Sequence, residues 1–156
     1  MTESEFWGKM KPFLAKSAIR TMTTRVENSA VSGMPDVCGR IQGGDFWFEL
    51  KIVKSDHVVL RHSQAAWMYR RQVLGARNIF VLALDKNTLV LTKGCHILGM
   101  YEAAKARDED PDSKSVRVLV PAQSKYFDFD EEGVYAMLTW VQSEIREPVA
   151  KTTEWL

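Results

Sequence analysis

Hydrophobic positions follow two different periods along the N-terminal part of the chain. Apolar residues at near-helical spacing predict a helix over residues 3–15, which Pro12 should shorten or kink, and another over residues 62–74 that ends before Gly75. Alternating or continuous apolar runs predict four strands, over residues 19–26, 35–41, 46–53 and 79–84. The last of these strands is apolar throughout, which is typical of a central strand covered on both faces.

Residues typical of turns and loops separate these elements. A tight turn at residues 42–45 predicts a hairpin between the second and third strands, and residues 54–61 are expected to form a polar loop. The C-terminal part predicts a strand over 88–91, a helix near 95–106, a charged loop over 107–114, a strand over 116–120 and a helix near 131–145. This order of elements predicts an α/β fold with a mixed sheet.

The composition is that of an ordinary globular domain. The 156 residues are 46% hydrophobic and 26% charged, which excludes a disordered chain, a collagen-like repeat and a disulfide scaffold. A chain of this length is expected to form a single domain over residues 1–156, with one core. Within it, the motifs described below lie in residues 3–91, and residues 92–156 form a C-terminal extension.

Nothing in the sequence indicates a membrane or an oxidising compartment. No apolar run approaches the roughly 18 residues that a membrane span needs, and the first residues carry charges where a signal peptide would be apolar. Cys38 and Cys95 could form only one disulfide and lack a metal-binding spacing, so reduced and partly buried thiols are expected. These features favour a cytoplasmic protein without a membrane partner.

The distribution of charge is more informative than the net charge of +1. Residues 1–77 contain 12 Lys and Arg against 7 Asp and Glu, whereas residues 78–156 contain 9 against 13. A nucleic acid, if the protein binds one, should therefore contact the N-terminal half.

The strand over residues 46–53 presents two charged side chains on one face. Because side chains alternate along a strand, Glu49 and Lys51 share the face of Trp47, opposite to the apolar face. A turn centred on Gly43-Gly44 sets Asp36 opposite Lys51, and a register shifted by two in the residue sum sets it opposite Glu49. In both registers two carboxylates and one lysine converge.

This combination of side chains is suited to metal-assisted phosphodiester hydrolysis. Mg²⁺ takes oxygen ligands at about 2.1 Å and usually keeps waters and substrate phosphate in its other positions. The Lys51 ammonium could hold the attacking water or stabilise charge on the phosphoryl oxygens. The alternative is a solvated ion pair between Asp36 and Lys51, which would contribute only about 0–1 kcal/mol.

A series of motifs resembles the PD-(D/E)XK nuclease superfamily. The turn that ends in Asp36 is followed by Glu49, Leu50 and Lys51 in the pattern PD…ELK. The resemblance extends to the small VRR-Nuc-like branch of phages and bacteria, through Arg25-Val26-Glu27-Asn28 before the turn and through Leu60, Arg61, Gln64 and Trp67 after it. It spans about Glu3 to Leu91 and implies a restriction-endonuclease-like core, a mixed β-sheet flanked by helices in the order α-β-β-β-α-β, with a C-terminal α/β extension.

The resemblance also implies roles for individual residues. It implies an endonuclease dependent on Mg²⁺ or Mn²⁺, with Asp36, Glu49 and the Leu50 carbonyl as ligands, Lys51 as the catalytic lysine and Gln64 in support. An acidic residue from the first helix should lie near the metal. Glu3 fits that place best, and Glu5 and Glu27 compete with it.

The expected DNA contacts come from basic residues around these motifs, namely Arg25, Lys54, Arg61, Arg70 and Arg71. His57 or His62 could assist catalysis, although either could be an exposed loop residue. The resemblance to Holliday-junction resolvases implies a homodimer that cuts four-way DNA junctions. The alternatives are a nuclease for flaps, nicks or other structured DNA, a noncatalytic DNA-binding relic of the fold, and a sheet protein whose acidic face is merely solvated.

Overall fold

The computed structural model describes residues 1–26 and 32–145. Its helices are α1 (Glu3–Lys16), α2 (His62–Gln72), α3 (Gly94–Arg107) and α4 (Glu131–Ile145). Its strands are β1 (Thr21–Arg25), β2 (Val37–Ile41), β3 (Gly44–Ile52), β4 (His57–Arg61), β5 (Ile79–Asp85), β6 (Thr88–Lys93), β7 (Ser115–Leu119) and β8 (Lys125–Asp128). No helix within these residues is both long and apolar enough to cross a bilayer.

Six strands form a mixed sheet in the order β1-β2-β3-β5-β6-β8. The pair β3 and β5 is parallel, and the other neighbours are antiparallel. Six of the seven residues of β5 are buried, since helices cover both faces of the sheet there. The predicted α/β class with a mixed sheet and a central strand at residues 79–84 is therefore confirmed.

Two apolar clusters cover the two faces of the sheet. One packs α1 and α4 on the face that carries Phe48 and Leu82. The other packs α2, α3 and β7 on the face that carries Val81 and Val90. The elements after residue 92 thus contribute to both clusters.

Helix α1 begins with a capping box and continues through Pro12. Thr2 Oγ1 accepts a hydrogen bond from the Glu5 amide, and the Glu5 carboxylate accepts one from the Thr2 amide. The expected shortening at Pro12 is not observed, because Phe6, Met10 and Leu14 on both sides of it are buried in one cluster. This burial offsets the hydrogen bond that proline cannot donate.

Residues 54–61 contain a strand where the sequence predicted a polar loop. Strand β4 pairs with β7 in an antiparallel two-stranded ribbon, and Val58 and Leu60 are buried. Strand β8 was also missed. Both strands are short and find their partners far along the chain, so no local turn signals the pairing.

The hairpin of β2 and β3 adopts the second of the two registers considered. Ile41 pairs with Gly44, so the turn is Gln42-Gly43, and Gly43 has a φ of 109°. The same register sets Gly39 opposite Phe46, whose ring would collide with any Cβ at position 39. The register centred on Gly43-Gly44, with Asp36 opposite Lys51, is therefore wrong.

Candidate active site

A cleft of about 530 Å³ opens at one end of the sheet, next to the first turns of α1 and α2. The residues that line it are Met1, Thr2, Glu3, Ser4, Arg25, Asp36, Glu49, Leu50, Lys51, Ile52, Lys54, His57, Val59, Arg61, Gln64 and Arg117. Charged and amide side chains predominate, so the cleft is suited to a polar, charged ligand.

Asp36 is held where the loop before β2 meets β3. Its Oδ2 accepts a hydrogen bond from the Leu50 amide at 2.9 Å. The loop packs so closely against α2 that a Cβ at Gly33, whose φ is 82°, would collide with the Ser63 carbonyl. A glycine at position 33 therefore brings the Asp36 loop and the start of α2 together.

Gln64 links the two buried charged side chains of β3. Its Oε1 accepts hydrogen bonds from Lys51 Nζ and from the Arg61 amide, both at 2.9 Å, and its Nε2 donates to Glu49 Oε1 at 2.9 Å. All three side chains are nearly inaccessible to solvent, with Glu49 only 1% exposed. Gln64 therefore fixes the positions of both neighbours and satisfies one amide at the start of α2.

The second oxygen of Glu49 is buried without a hydrogen-bond partner among the described residues. Burial raises the pKa of the Glu49 carboxyl well above its usual value, and the nearby Asp36 carboxylate raises it further. Lys51 and Arg61 act in the opposite direction. A protonated Glu49 would share a hydrogen bond with Asp36, whereas an ionised Glu49 leaves its second oxygen beside another carboxylate and without a partner among the residues that the structure describes. The ionised state is therefore costly, and a bound cation would relieve that cost.

Lys51 lies in the same buried, charged environment. Burial lowers the pKa of its ammonium, while the carboxylates of Glu49, Asp36 and Glu3 favour the protonated form. The lysine thus shares the lining of the cleft with three acidic side chains.

The three candidate acidic residues from the N-terminal region have different positions. Glu3 lines the cleft. Glu5 belongs to the capping box of α1. Glu27 lies outside the described residues. The structure therefore brings only Glu3 of the two described candidates to the carboxylate pair.

The structure brings together three of the five basic residues proposed to bind DNA. Arg25, Lys54 and Arg61 line the cleft, whereas Arg70 and Arg71 do not belong to its lining. The Arg71 guanidinium instead stacks over the Trp67 ring at 3.7 Å. Helix α2 starts at the cleft and runs away from it, so the residues near the C-terminus of the helix lie outside the cleft.

Two histidines and one further arginine also differ in whether they line the cleft. His57 lines the cleft, and its Nδ1 is 2.6 Å from the Ser55 carbonyl oxygen. His62 pairs with the Tyr101 hydroxyl on α3. Arg117 lines the cleft from β7, a position that sequence reasoning missed. The only signal for it was an arginine flanked by valines in a predicted strand.

The donor set fits a hard divalent cation. Within residues 1–26 and 32–145, no group of three or more His, Cys, Asp and Glu side chains is arranged to hold a metal by itself. Two carboxylates do converge, however, and one of their oxygens is buried without a partner. This suits Mg²⁺, which usually takes one or two protein carboxylates and completes its shell with waters and substrate oxygens.

The fold is similar to that of solved nucleases. Hjc, a Holliday junction resolvase from the archaeal hyperthermophile Archaeoglobus fulgidus, has a TM-score of 0.51 and 12% identity, covering 89% of this chain and 97% of that chain. A nuclease from a fusselovirus has a TM-score of 0.50 and 14% identity, covering 88% and 91%. No family model and no curated protein matches the sequence. The structural similarity confirms the predicted restriction-endonuclease-like fold class.

Proposed function

We propose that this protein is a metal-dependent endonuclease that hydrolyses phosphodiester bonds in DNA. The observation that carries the proposal is the Glu49 oxygen, buried without a partner near Asp36 and next to the Lys51–Gln64 pair. Proteins rarely keep such an arrangement for stability alone, because it costs free energy unless a ligand completes it.

Asp36, Glu49 and the Leu50 carbonyl would hold Mg²⁺, with Glu3 or Glu27 as a further carboxylate. Mn²⁺, which also accepts oxygen ligands, should substitute for it. Such a cation polarises a phosphodiester and acidifies a bound water.

The chain's own side chains position the reacting groups. The Leu50 amide orients the Asp36 carboxylate, and Gln64 Nε2 orients the Glu49 carboxylate. Lys51 Nζ donates one hydrogen bond to Gln64 and has further protons with which to donate to a phosphoryl oxygen in the cleft. Arg25, Lys54 and Arg61 would neutralise adjacent phosphates of the same DNA.

The substrate we favour is a four-way DNA junction. The motifs resemble the VRR-Nuc-like branch, and one protein of similar fold is a Holliday junction resolvase. Symmetric cleavage of a junction needs two active sites, so we infer a homodimer with sites related by a two-fold axis. Flaps, nicks and other structured DNA are the alternative substrates.

Cleavage of labelled four-way, flap, nicked and linear DNA in Mg²⁺, Mn²⁺ or EDTA tests this function. We expect cleavage with either metal, none in EDTA, and the fastest rate on the junction. Cleavage that persists in EDTA would contradict the metal mechanism. Binding without cleavage in both metals would indicate a noncatalytic DNA-binding protein, and sedimentation would test the dimer.

A further inference from the structure

The β4–β7 ribbon has one apolar and one mixed face. Val58 and Leu60 of β4 and Val116 and Val118 of β7 are buried in the core. The opposite face carries the residues that alternate with them, namely His57, Val59, Arg61, Ser115, Arg117 and Leu119. On this face Val59 is 50% exposed, which is unusual for a β-branched apolar side chain beside a charged cleft.

The mixed face of the ribbon forms a wall of the cleft that contains Asp36 and Glu49. His57, Val59, Arg61 and Arg117 all belong to the lining. Arg61 and Arg117 are exposed, and neither has an acidic partner within ion-pair distance in the described part of the chain. Their positive charges are thus available to a ligand.

The two arginines occupy different positions on the mixed face of the ribbon. Arg61 is tied to the site, because its amide donates to the Gln64 oxygen that also binds Lys51. Arg117 pairs with Val59, and Arg61 pairs with Ser115, so the arginines are diagonal neighbours across the ribbon. The Cα atoms of diagonal neighbours in an antiparallel pair are about 7–8 Å apart. The two side chains thus start from positions near enough for their guanidinium groups to reach neighbouring phosphates of one strand.

We propose that the mixed face of the β4–β7 ribbon binds the DNA strand that is cut, with Arg61 and Arg117 on neighbouring phosphates and Val59 against the intervening sugar. The inference rests on the proposed function, because it takes the scissile phosphate to lie over Asp36 and Glu49. It assigns to the C-terminal half of the chain a direct part in substrate binding. Arg117 would then bind DNA from a part of the chain that carries none of the motifs found in residues 3–91.

The test compares Arg117→Gln with Arg20→Gln, which removes an exposed arginine at the opposite end of β1 from the cleft. Binding to a labelled four-way junction is measured in EDTA at several salt concentrations, and cleavage is measured in Mg²⁺. We expect Arg117→Gln to weaken binding about fivefold and to reduce the salt slope by roughly one phosphate contact. It should raise KM more than it lowers kcat, and Arg117→Lys should recover most of the affinity.

The outcomes separate this inference from the nuclease proposal. If Arg117→Gln and Arg20→Gln have the same affinity and salt slope, the ribbon does not bind the strand, even if the wild-type protein cuts DNA. If the wild-type protein never cuts but Arg117→Gln weakens binding as expected, the nuclease proposal is overturned, and of this inference only the DNA-binding role of the ribbon survives. A wild-type protein that does not bind DNA at all would overturn both.

Discussion

Gln64 determines the local order of the candidate site, because three of its hydrogen bonds join Glu49, Lys51 and the start of α2. Replacing it with leucine would leave the Lys51 ammonium and the Glu49 carboxylate without their shared partner. A small displacement of reacting groups can reduce a rate by about a hundredfold. Buried polar groups left unsatisfied also cost about 1–3 kcal/mol each.

We therefore expect Gln64→Leu to reduce cleavage at least about tenfold and to lower Tm. The matched control is Gln72→Leu on the same helix, since Gln72 lies outside the cleft lining. Steady-state cleavage and thermal unfolding of both variants provide the measurement. Normal cleavage by Gln64→Leu would show that the bridge is not needed.

Glu49 is expected to reduce stability when no metal is bound. Removing its charge with Glu49→Gln should abolish cleavage yet raise the Tm of metal-free protein at pH 8 by about 2–4 °C for each kcal/mol gained. The physical reason is that a neutral amide keeps the acceptor for Gln64 and ends the repulsion with Asp36.

The sign of the pH dependence follows from the raised pKa of Glu49. The folded protein holds the Glu49 proton more tightly than the unfolded chain, whose carboxyl titrates near the usual value of 4.5. The contribution of protonated Glu49 to the free energy of unfolding is fully present below pH 4.5 and is lost as the pH rises through the raised pKa. The difference in Tm between variant and wild type should thus shrink as the pH is lowered, and a difference that grows would contradict the assignment.

At the scale of elements, the contact between the Asp36 loop and α2 depends on Gly33. We expect Gly33→Ala to reduce both stability and cleavage, because a Cβ would strain the backbone at a φ of 82° and collide with the Ser63 carbonyl. Gly75→Ala is a matched control: its φ is 89°, but a Cβ there meets nothing within 4 Å.

The control should show only the backbone strain, about 1–2 kcal/mol, with cleavage preserved. Urea unfolding and cleavage assays of the two variants compare the effects. Equal loss of stability and activity in both would mean that the close contact with α2 is unimportant.

Elements whose signal is local were predicted from the sequence. The helices at α2, α3 and α4 and the central strand β5 follow from apolar periodicity and length. Strands β4 and β8 could not be found in this way, because each is short and is stabilised by a partner distant in sequence. The register of the β2–β3 hairpin depended on whether Gly43 or Gly44 ended the turn, which two adjacent glycines leave open.

At the scale of the whole molecule, a divalent cation should stabilise the native state. Binding at a hundred times Kd adds about 2.7 kcal/mol to the free energy of unfolding. We expect Mg²⁺ or Mn²⁺ to raise the Tm of the wild-type protein but not that of Asp36→Asn combined with Glu49→Gln. Asp110→Asn with Asp112→Asn removes the same charge from an exposed loop and should retain the shift. A shift that survives in the Asp36 and Glu49 variant would place the metal elsewhere.

The sequence by itself determined that Glu49 and Lys51 share one face of β3, because side-chain direction in a strand depends only on its period of two. The strand predicted over residues 35–41 begins only at Val37, so the position of Asp36 depends on the loop before β2 and on its hydrogen bond to the Leu50 amide. The sequence also carries, at Asp36, Glu49 and Lys51, the pattern that resembles the PD-(D/E)XK nucleases. The tertiary structure alone decided that Glu49 is buried with one oxygen unpartnered, that Gln64 joins it to Lys51, and that Arg117 reaches the cleft from β7. Those features depend on which distant segments pack together, and burial and long-range pairing arise only when the whole chain has folded.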